Sequence, residues 1–436
     1  AVVIPAVTTT KKKEPTMTEV TLRLDTDRRL IRAAGLSVRY LHLALQAPAA
    51  TQERAPVDLA LVLDRSGSMA GAKWPQVRQA ALQSLERLNH QDRAAVVVFD
   101  NQIDTLLPLA PVMPLTRQIA EQALLGIAPR GNTDLGGGWL TGCGLIGQEA
   151  KDERLRRCFL LTDGEANVGI TDPSELGQHA HQLRQLGVVT STFGVGDHYN
   201  EELLGLLADA GGGAFHDIAQ AEGIPALIAR ELGDALDVVC ADTQVRLTWE
   251  APLKVEVLGS WPVETGVGAL TVGLGDLVSR QTLDLLVAIH FPPGVVDQDC
   301  PLSVLVSNQE EPLAEASFRW TWVDSTRRRA QPRQAEVEQR VAMFWAAEAR
   351  REATQRNRRD DLEGARQALV AGAARIRGYN KDNPELNNQA ALLLGEVPAY
   401  QEKLDPRALK ARFFAASSAL KGRQADGSRS RGGVDV

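Results

Sequence analysis

Between about Asp58 and Ala235 the chain alternates short, wholly apolar runs with amphipathic windows. Leu59 to Leu63 reads as a buried strand, Gln76 to Leu88 as a helix, and Ala94 to Phe99 as a second buried strand. Cys158 to Leu161 and Val188 to Phe193 have the same character, with helices between them. Continuous apolar strands separated by helices predict a parallel sheet covered on both faces. In such a sheet ligands bind outside the carboxyl ends of the strands.

On either side of this region the period changes. Val20, Leu22 and Leu24 alternate with polar neighbours, as do Leu36, Val38, Tyr40 and His42, which is the period of half-buried strands. Alternation returns after Asp237 in Val245, Leu247 and Trp249, in Leu253, Val255 and Val257, along Leu283 to Ile289, and in Phe318, Trp320 and Trp322. These segments predict an antiparallel sandwich, and the early strands, too small to form a core alone, are expected to join it across the central region.

From Gln334 the period becomes helical. Val337, Val341, Phe344 and Trp345 share one face, and Leu362, Ala365, Leu369, Ala373 and Ile376 share another, with further helices around Leu386 to Leu394 and Pro406 to Leu420. Trp320, Trp322, Phe344 and Trp345 read as packing between segments in preference to an exposed patch. The expected division is a flexible arm over 1–16, sandwich-joining strands over 17–56, an α/β domain over 57–235, a β-sandwich over 236–330, a helical segment over 331–421, and a polar, glycine-rich, disordered tail over 422–436.

Composition narrows the partners. The chain has 436 residues, 44% of them hydrophobic, enough for two or three real cores. A formal charge of -7 gives no reason to expect nucleic acid or an anionic membrane as partner. The basic clusters Lys11 to Lys13 and Arg327 to Arg329 are short and read as solvated. Cys143, Cys158, Cys240 and Cys300 have no paired spacing, which argues against a disulfide scaffold or a zinc knuckle and fits a reducing compartment. No run reaches the roughly 18 apolar residues of a transmembrane helix. The expected location is cytoplasmic, with a secreted or surface position left open because the chain starts at Ala1 and a processed start fits as well.

Three polar motifs follow the apolar strands. Asp64, Arg65, Ser66, Gly67, Ser68 and Met69 come directly after Leu63, placing one carboxylate and two hydroxyls in a tight loop. Oxygen-only donors of this kind suit a hard cation such as magnesium, while the plain alternative is a serine or Asx turn capping the next helix. Gly131, Asn132, Thr133 and Asp134 precede the glycines 136 to 138, so Thr133 offers a further hydroxyl and the glycines permit close approach. Thr162, Asp163, Gly164 and Glu165 follow the strand ending at Leu161, and Asp163 adds a second carboxylate.

Asp64-x-Ser66-x-Ser68, Thr133 and Asp163-Gly164, in this order and each at an element edge, resemble the metal-ion-dependent adhesion site of the von Willebrand factor A family. Thr192 to Gly196, Asn200, Leu203, Leu204, Gly211 to Gly213 and Phe215 extend the resemblance to bacterial members. The flanking segments look like bacterial proteins that pair this domain with a β-sandwich and a C-terminal helical segment. The resemblance implies a Rossmann-like three-layer α/β fold and one bound Mg2+, with Mn2+ or Ca2+ as alternatives. It implies Ser66, Ser68 and Thr133 as direct ligands, with Asp64 and Asp163 acting often through water. A partner protein or peptide would complete the site with an acidic residue, and chaperone-like ATPases are among the associates of bacterial members.

Around these ligands, Arg65, Met69, Asp134, Glu165, Asn167, Asp197 and His198 are the candidate partner-binding residues. Arg65 either pairs with a partner's acid or is a solvated arginine. Asp134 either turns inward and weakens anionic ligands or, in the favoured reading, points to solvent. The expected function is cation-dependent protein binding without catalysis. A metal-dependent hydrolase or phosphatase is the rival, as is an interaction module with a vestigial metal site. No phosphate loop is present, since Trp139 rather than lysine follows Gly136 to Gly138. Gly194-Val195-Gly196 lacks the third glycine of a dinucleotide fingerprint. His179 and His181 do not share a helical face, which disfavours zinc catalysis.

Overall fold

The computed structural model describes residues 19–50, 54–147, 154–308 and 311–432. Three strands come first: β1 (Thr21–Thr26), β2 (Leu30–Arg32) and β3 (Ser37–Gln46). The α/β unit then runs β4 (Val57–Asp64), α1 (Lys73–Arg87), β5 (Arg93–Phe99), β6 (Ile103–Pro111), α2 (Pro114–Leu125), α3 (Leu135–Gly147), β7 (Leu155–Thr162), α4 (Pro173–Gln185), β8 (Val188–Val195), α5 (Glu201–Ala210), β9 (Gly212–Ile218) and α6 (Ile224–Leu236). Its sheet has the order β6-β5-β4-β7-β8-β9.

Every residue of β4 is buried, as its unbroken apolar run demands for a strand with helices on both faces. The one charge in that run's amino end, Asp58, is held by Arg93 at 2.6 Å and Arg154 at 2.7 Å. The sheet is not wholly parallel: β6 runs antiparallel to β5 at the edge. The link from Phe99 to Ile103 is too short for a crossover and only permits a hairpin. The half-exposed, mixed pattern of β6 left no apolar run to reveal it. Helix α3 lies close on β4 and β5 because it is glycine-rich: a Cβ on Gly142 would stand 2.2 Å from Val62, and one on Gly138 2.5 Å from Phe99. Gly138 and Gly142 thus serve helix-to-sheet packing, while Gly136 permits the expected approach of another loop, since a Cβ there would stand 2.9 Å from the Ile170 carbonyl.

The second unit comprises β10 (Val238–Trp249), β11 (Lys254–Leu258), β12 (Val263–Gly266), β13 (Ala269–Val278), β14 (Thr282–Phe291), β15 (Asp299–Asn308) and β16 (Glu311–Val323). They form two sheets with the early strands, in the orders β1-β3-β14-β11 and β12-β13-β10-β15-β16-β2. β3 pairs antiparallel with β14 from Gln46 opposite Thr282 to Ser37 opposite Phe291. Leu41, Leu43 and Leu45 thereby enter one core with Leu285, Val287, Val245 and Val304. β2 departs from the antiparallel pattern by pairing parallel to β16.

The third unit is α7 (Ser325–Ala330), α8 (Ala335–Arg358), α9 (Leu362–Tyr379), α10 (Pro384–Gly395) and α11 (Pro406–Ala419). Asp361, Asn383 and Asp405 cap the last three by accepting backbone N–H groups, the expected chemistry of a helix start. Tyr40 of β3 meets Trp345 and Tyr379 edge-on at 5.6 and 5.3 Å, so these helices cover the outer face of the smaller sheet. Trp320, Trp322 and Trp345 are buried and Phe344 partly so, which makes them packing residues. Among the described residues no helix is long and apolar enough to cross a membrane.

The expected arm over 1–16 lies outside the described residues, as do residues 433–436. The expected disorder of 422–432 is corrected by the structure. Thr282 donates its N–H to the Ser430 carbonyl at 2.8 Å, and Arg431 reaches Asp234 at 2.7 Å and Asp237 at 2.8 Å. Backbone pairing and ion pairs fix a segment whose own apolar content is too small to bury.

Inside the α/β unit, Ser191 donates to Glu231 at 2.5 Å, and the His216 ring lies 2.9 Å from the same carboxylate and stacks on Phe193. Burial opposes the Glu231 charge, yet His216, by charge and hydrogen bond, together with Arg423 and Arg429, holds it well below the ordinary value of 4.5. A depressed carboxylate contributes stability above pH 4.5 that is lost as pH falls through its folded value. Glu231→Gln is expected to cost about 3 kcal/mol at pH 7, because it leaves polar partners buried without their counter-charge. Urea unfolding at pH 7 and in acid checks this: the deficit should shrink on acidification, and an unchanged midpoint at pH 7 would count against the pair.

Candidate metal centre

Asp64 closes β4, Thr162 closes β7, and Thr133 stands just before α3, so all three motifs meet outside the carboxyl ends of the strands. Asp64 is fully buried. One of its oxygens accepts the Ser66 N–H at 2.7 Å and the other accepts the Thr162 hydroxyl at 2.5 Å. Ser66 and Ser68 hydroxyl oxygens lie 3.1 Å apart, and Ser68 donates to Asp163 at 2.6 Å. Asp64, Ser66, Ser68 and Asp163 are thus joined in one cluster.

The Thr133 loop is tied to it through the backbone. Gly67 donates to the Gly131 carbonyl at 3.2 Å and Arg130 to the Arg65 carbonyl at 2.8 Å. Gly131 must be glycine here, since its φ is +69° and a Cβ would stand 2.2 Å from the Asn101 side chain. Asn167 clamps Thr133, accepting its N–H at 2.9 Å and donating its own N–H to the Thr133 carbonyl at 3.2 Å. The Thr133 hydroxyl faces Gly164, where a Cβ would come within 3.3 Å of it. A side chain at 164 would crowd the space in front of that hydroxyl.

This donor set suits a hard divalent cation: three hydroxyls and two carboxylates converge, with no nitrogen or sulfur. Among the described residues no group of three or more His, Cys, Asp and Glu is placed to hold a metal, so the hydroxyls are essential to the fit. Burial, and to a lesser degree the Asp163 charge, raise Asp64 to about 6 against the hydrogen bonds from Thr162 and Ser66. A carboxylate so placed calls for positive charge.

Lys73 already supplies some. Its ammonium pairs with Asp163 and lies 3.3 Å from the Ser68 carbonyl. The pattern reading missed this residue, although a lysine at the start of α1, against the helix dipole, is an anomaly that needs an anion nearby.

Three of the candidate partner-binding residues are corrected. Arg65 is buried and neither solvated nor free for a partner, because it joins Asp100 at 3.1 Å and Asp104 at 2.5 Å. Met69 is wholly buried in the core beside Trp74 and Val77. Asp134 accepts the Gly137 N–H at 2.9 Å and caps α3, so this half-buried carboxylate is committed to the helix start. Asn167 is exposed but committed to Thr133. Glu165, Asp197 and His198 are exposed and line one groove of about 550 Å3, closed on its far side by Arg358, Lys403 and Pro406 of the helical unit.

The profile of the von Willebrand factor type A domain matches residues 58–229. The chain carries a von Willebrand factor type A domain. Over 193 residues it is 33% identical to the uncharacterized protein sll0103 of Synechocystis sp., covering 43% of this chain and 44% of the relative. It is 28% identical over 203 residues to the uncharacterized protein YfbK of Escherichia coli, covering 45% of this chain and 34% of that one. The chain therefore spans less than half the length of these relatives. A solved von Willebrand factor type A structure from Catenulispora acidiphila superposes with a TM-score of 0.71 at 16% identity, over 94% of this chain and 98% of that one. At that identity the likeness is one of fold, and it extends beyond the type A domain to the sandwich and helices.

The Asp64 environment makes a sign-definite prediction for metal-free protein. Its folded value of about 6 exceeds the ordinary 3.8, so stability falls as pH rises through that window and the whole cost is present at pH 7. Two units correspond to roughly 3 kcal/mol. Asp64→Asn keeps an acceptor for Ser66 and should make the metal-stripped chain more stable at pH 7, by about 1–3 kcal/mol in urea unfolding. The gain should fade towards pH 4, and a variant no more stable than the parent at pH 7 would refute the argument.

Proposed function

We propose that this chain is a divalent-cation-dependent binding protein that grips an acidic residue of a partner protein or peptide, without catalysing a reaction. The observation that carries this reading is the convergence of Asp64, Ser66, Ser68, Thr133 and Asp163 from three loops at one end of the sheet. Ser66, Ser68 and Thr133 are assigned as direct ligands, with Asp64 and Asp163 balancing charge, in part through water. Mg2+ is the favoured ion, with Mn2+ or Ca2+ as alternatives of the same oxygen chemistry. Both carboxylates are buried while Ser68 is exposed. The solvent side of the site therefore presents the Ser68 hydroxyl, which does not repel an incoming anion, while Ser66 and Thr133 lie buried behind it.

Glu165, Asp197 and His198, beside the site, are the rim residues that fit selection of a partner. A single ion-to-carboxylate contact selects only for an acid, so the groove between these residues and the helical unit supports sequence preference. The Lys73 ammonium on Asp163 favours a second reading, in which the lysine has taken over the metal's electrostatic role and the module binds partners without an ion.

Manganese binding followed by electron paramagnetic resonance, with capture of displayed peptides carrying one Asp or Glu, separates the two. The first reading expects one bound ion and peptide capture abolished by chelator. It also expects Thr133→Ala and Asp64→Ala to weaken both at least about tenfold, and Lys73→Met to tighten the ion several-fold because a competing cation is gone. Capture that is equal in magnesium and in chelator, in native and Asp64→Ala protein alike, would falsify the metal bridge.

A further inference from the structure

A cavity of about 430 Å3 lies where the three units meet, away from the metal ligands and within the size range of small-molecule sites. Its apolar wall is built from Leu203 and Leu206 of α5, Phe215 of β9, and Phe413 and Phe414 of α11. The lining also carries Arg351 from α8 and Lys421 and Arg423 from the turn after α11, together with the carboxylates of Glu202 and Asp209. Ser260, in the loop after β11, joins the pieces: its N–H donates to the Leu420 carbonyl at 3.3 Å, and its hydroxyl accepts from Arg351 at 2.7 Å.

Charge is not balanced inside this space. Lys421 pairs with Asp209, and Glu202 is engaged by Arg358 at 3.1 Å. Arg351 has the Ser260 hydroxyl, and Arg423 has the Gly427 carbonyl at 3.4 Å. Among the described residues neither guanidinium is ion-paired with a carboxylate. Three cationic side chains stand in this lining with the carboxylates of Asp209 and Glu202, while Glu231 and Asp234, which act on Arg423 from farther off, are held by His216 and by Arg429 and Arg431. Arg184 of α4, which lines the adjoining space with Lys421 and Arg423, adds to the excess. Burial and the Arg429 charge, against the opposing charges of Glu231 and Asp234, push Arg423 down to about 10.

Partly buried guanidiniums with no carboxylate in direct contact gain from an anion that completes them. Arginine forks match phosphate and carboxylate oxygens in pairs of hydrogen bonds. An excess of positive charge carried on hydrogen-bonding forks suits a phosphate, and the phenylalanines of the lining suit a flat apolar body.

We infer that this junction is a binding site for a small phosphate monoester, its phosphate held by Arg351, Arg423 and Lys421 and its apolar group lying against Leu206, Phe413 and Phe414. Because the walls belong to the α/β unit, the sandwich loop and the helical unit together, such a ligand locks the three against one another.

Phenyl phosphate, inorganic phosphate and phenol titrated calorimetrically into the metal-stripped full chain test this directly. Phenyl phosphate should bind at one site per chain, inorganic phosphate more weakly, and phenol not measurably. Arg351→Gln and Arg423→Gln should each weaken phenyl phosphate at least about tenfold. Leu206→Trp, on a half-exposed helix position that tolerates bulk, should block it by filling the cavity. Asp64→Ala should leave binding intact, which separates this site from the metal centre. No saturable binding of phenyl phosphate below about 10 mM, or equal binding by a folded Arg351→Gln/Arg423→Gln double variant, overturns the assignment.

Discussion

The site depends on one buried carboxylate. Asp64 ends a strand with no exposed residue, yet it carries a charge that burial opposes. The surrounding loops are shaped to hold it there. Ser66 turns its N–H back onto one oxygen while Thr162, from the neighbouring strand, gives its hydroxyl to the other. The first bond closes the loop that carries Ser68, and the second joins the ends of β4 and β7, so together they set where Ser68 and Asp163 stand. Parallel register does the rest, because Leu63 lies opposite both Val98 and Leu161, so loops that follow these strands emerge side by side.

The same end of the α/β unit anchors the helices. Lys410 of α11 reaches the Glu201 carboxylate at 2.7 Å and lies 4.0 Å from the centre of the Tyr199 ring. Arg407 pairs with Asp217, which also accepts from the Tyr199 hydroxyl. Glu201 opens α5, and its neighbours Asp197 and His198 line the groove beside the metal site. Burying such ions is worthwhile only when each has its partner, and here each partner comes from a different unit. The helical unit is thereby positioned to form one wall of the groove, and a change in its docking changes the groove's width.

How much of this was legible from the chain depended on the range of the interaction. The apolar run Leu59 to Leu63 dictated a buried strand by itself, and the spacing of Asp64, Ser66 and Ser68 announced the loop chemistry. The alternation at Val38 and Tyr40 revealed strands, and their small area revealed that they must join another sheet. What escaped was settled by partners distant in sequence. Arg65 looks like a surface residue until Asp100 and Asp104 arrive from the next hairpin, and Met69 looks like a rim residue until the turn of Gly67 to Met69 swings it inward. Asp134 could have been found, because an aspartate directly before a helix is a capping signal. The order of residues 422–432 could not, because its cause is ion pairing with Asp234 and Asp237.

These corrections bear on the metal site through charge. Five carboxylates crowd this end of the sheet: Asp64, Asp100, Asp104, Asp134 and Asp163. If all acted on an ion, the site would hold it tightly and repel any acidic partner. Asp100 is instead taken by Arg65 and Arg130, and although burial opposes its charge, those arginines and the Gln102 N–H keep it below the ordinary carboxylate value. Asp104 is taken by Arg65, and Asp134 by the amino end of α3. Asp64 and Asp163 remain beside the cation site, with the Lys73 ammonium paired to Asp163, so a divalent ion there would meet two negative charges and one further positive one. A centre that is not net negative, with the Ser68 hydroxyl on its open side, retains attraction for one more carboxylate, and Arg65, buried and unavailable to any partner, is one of the residues that keeps it so.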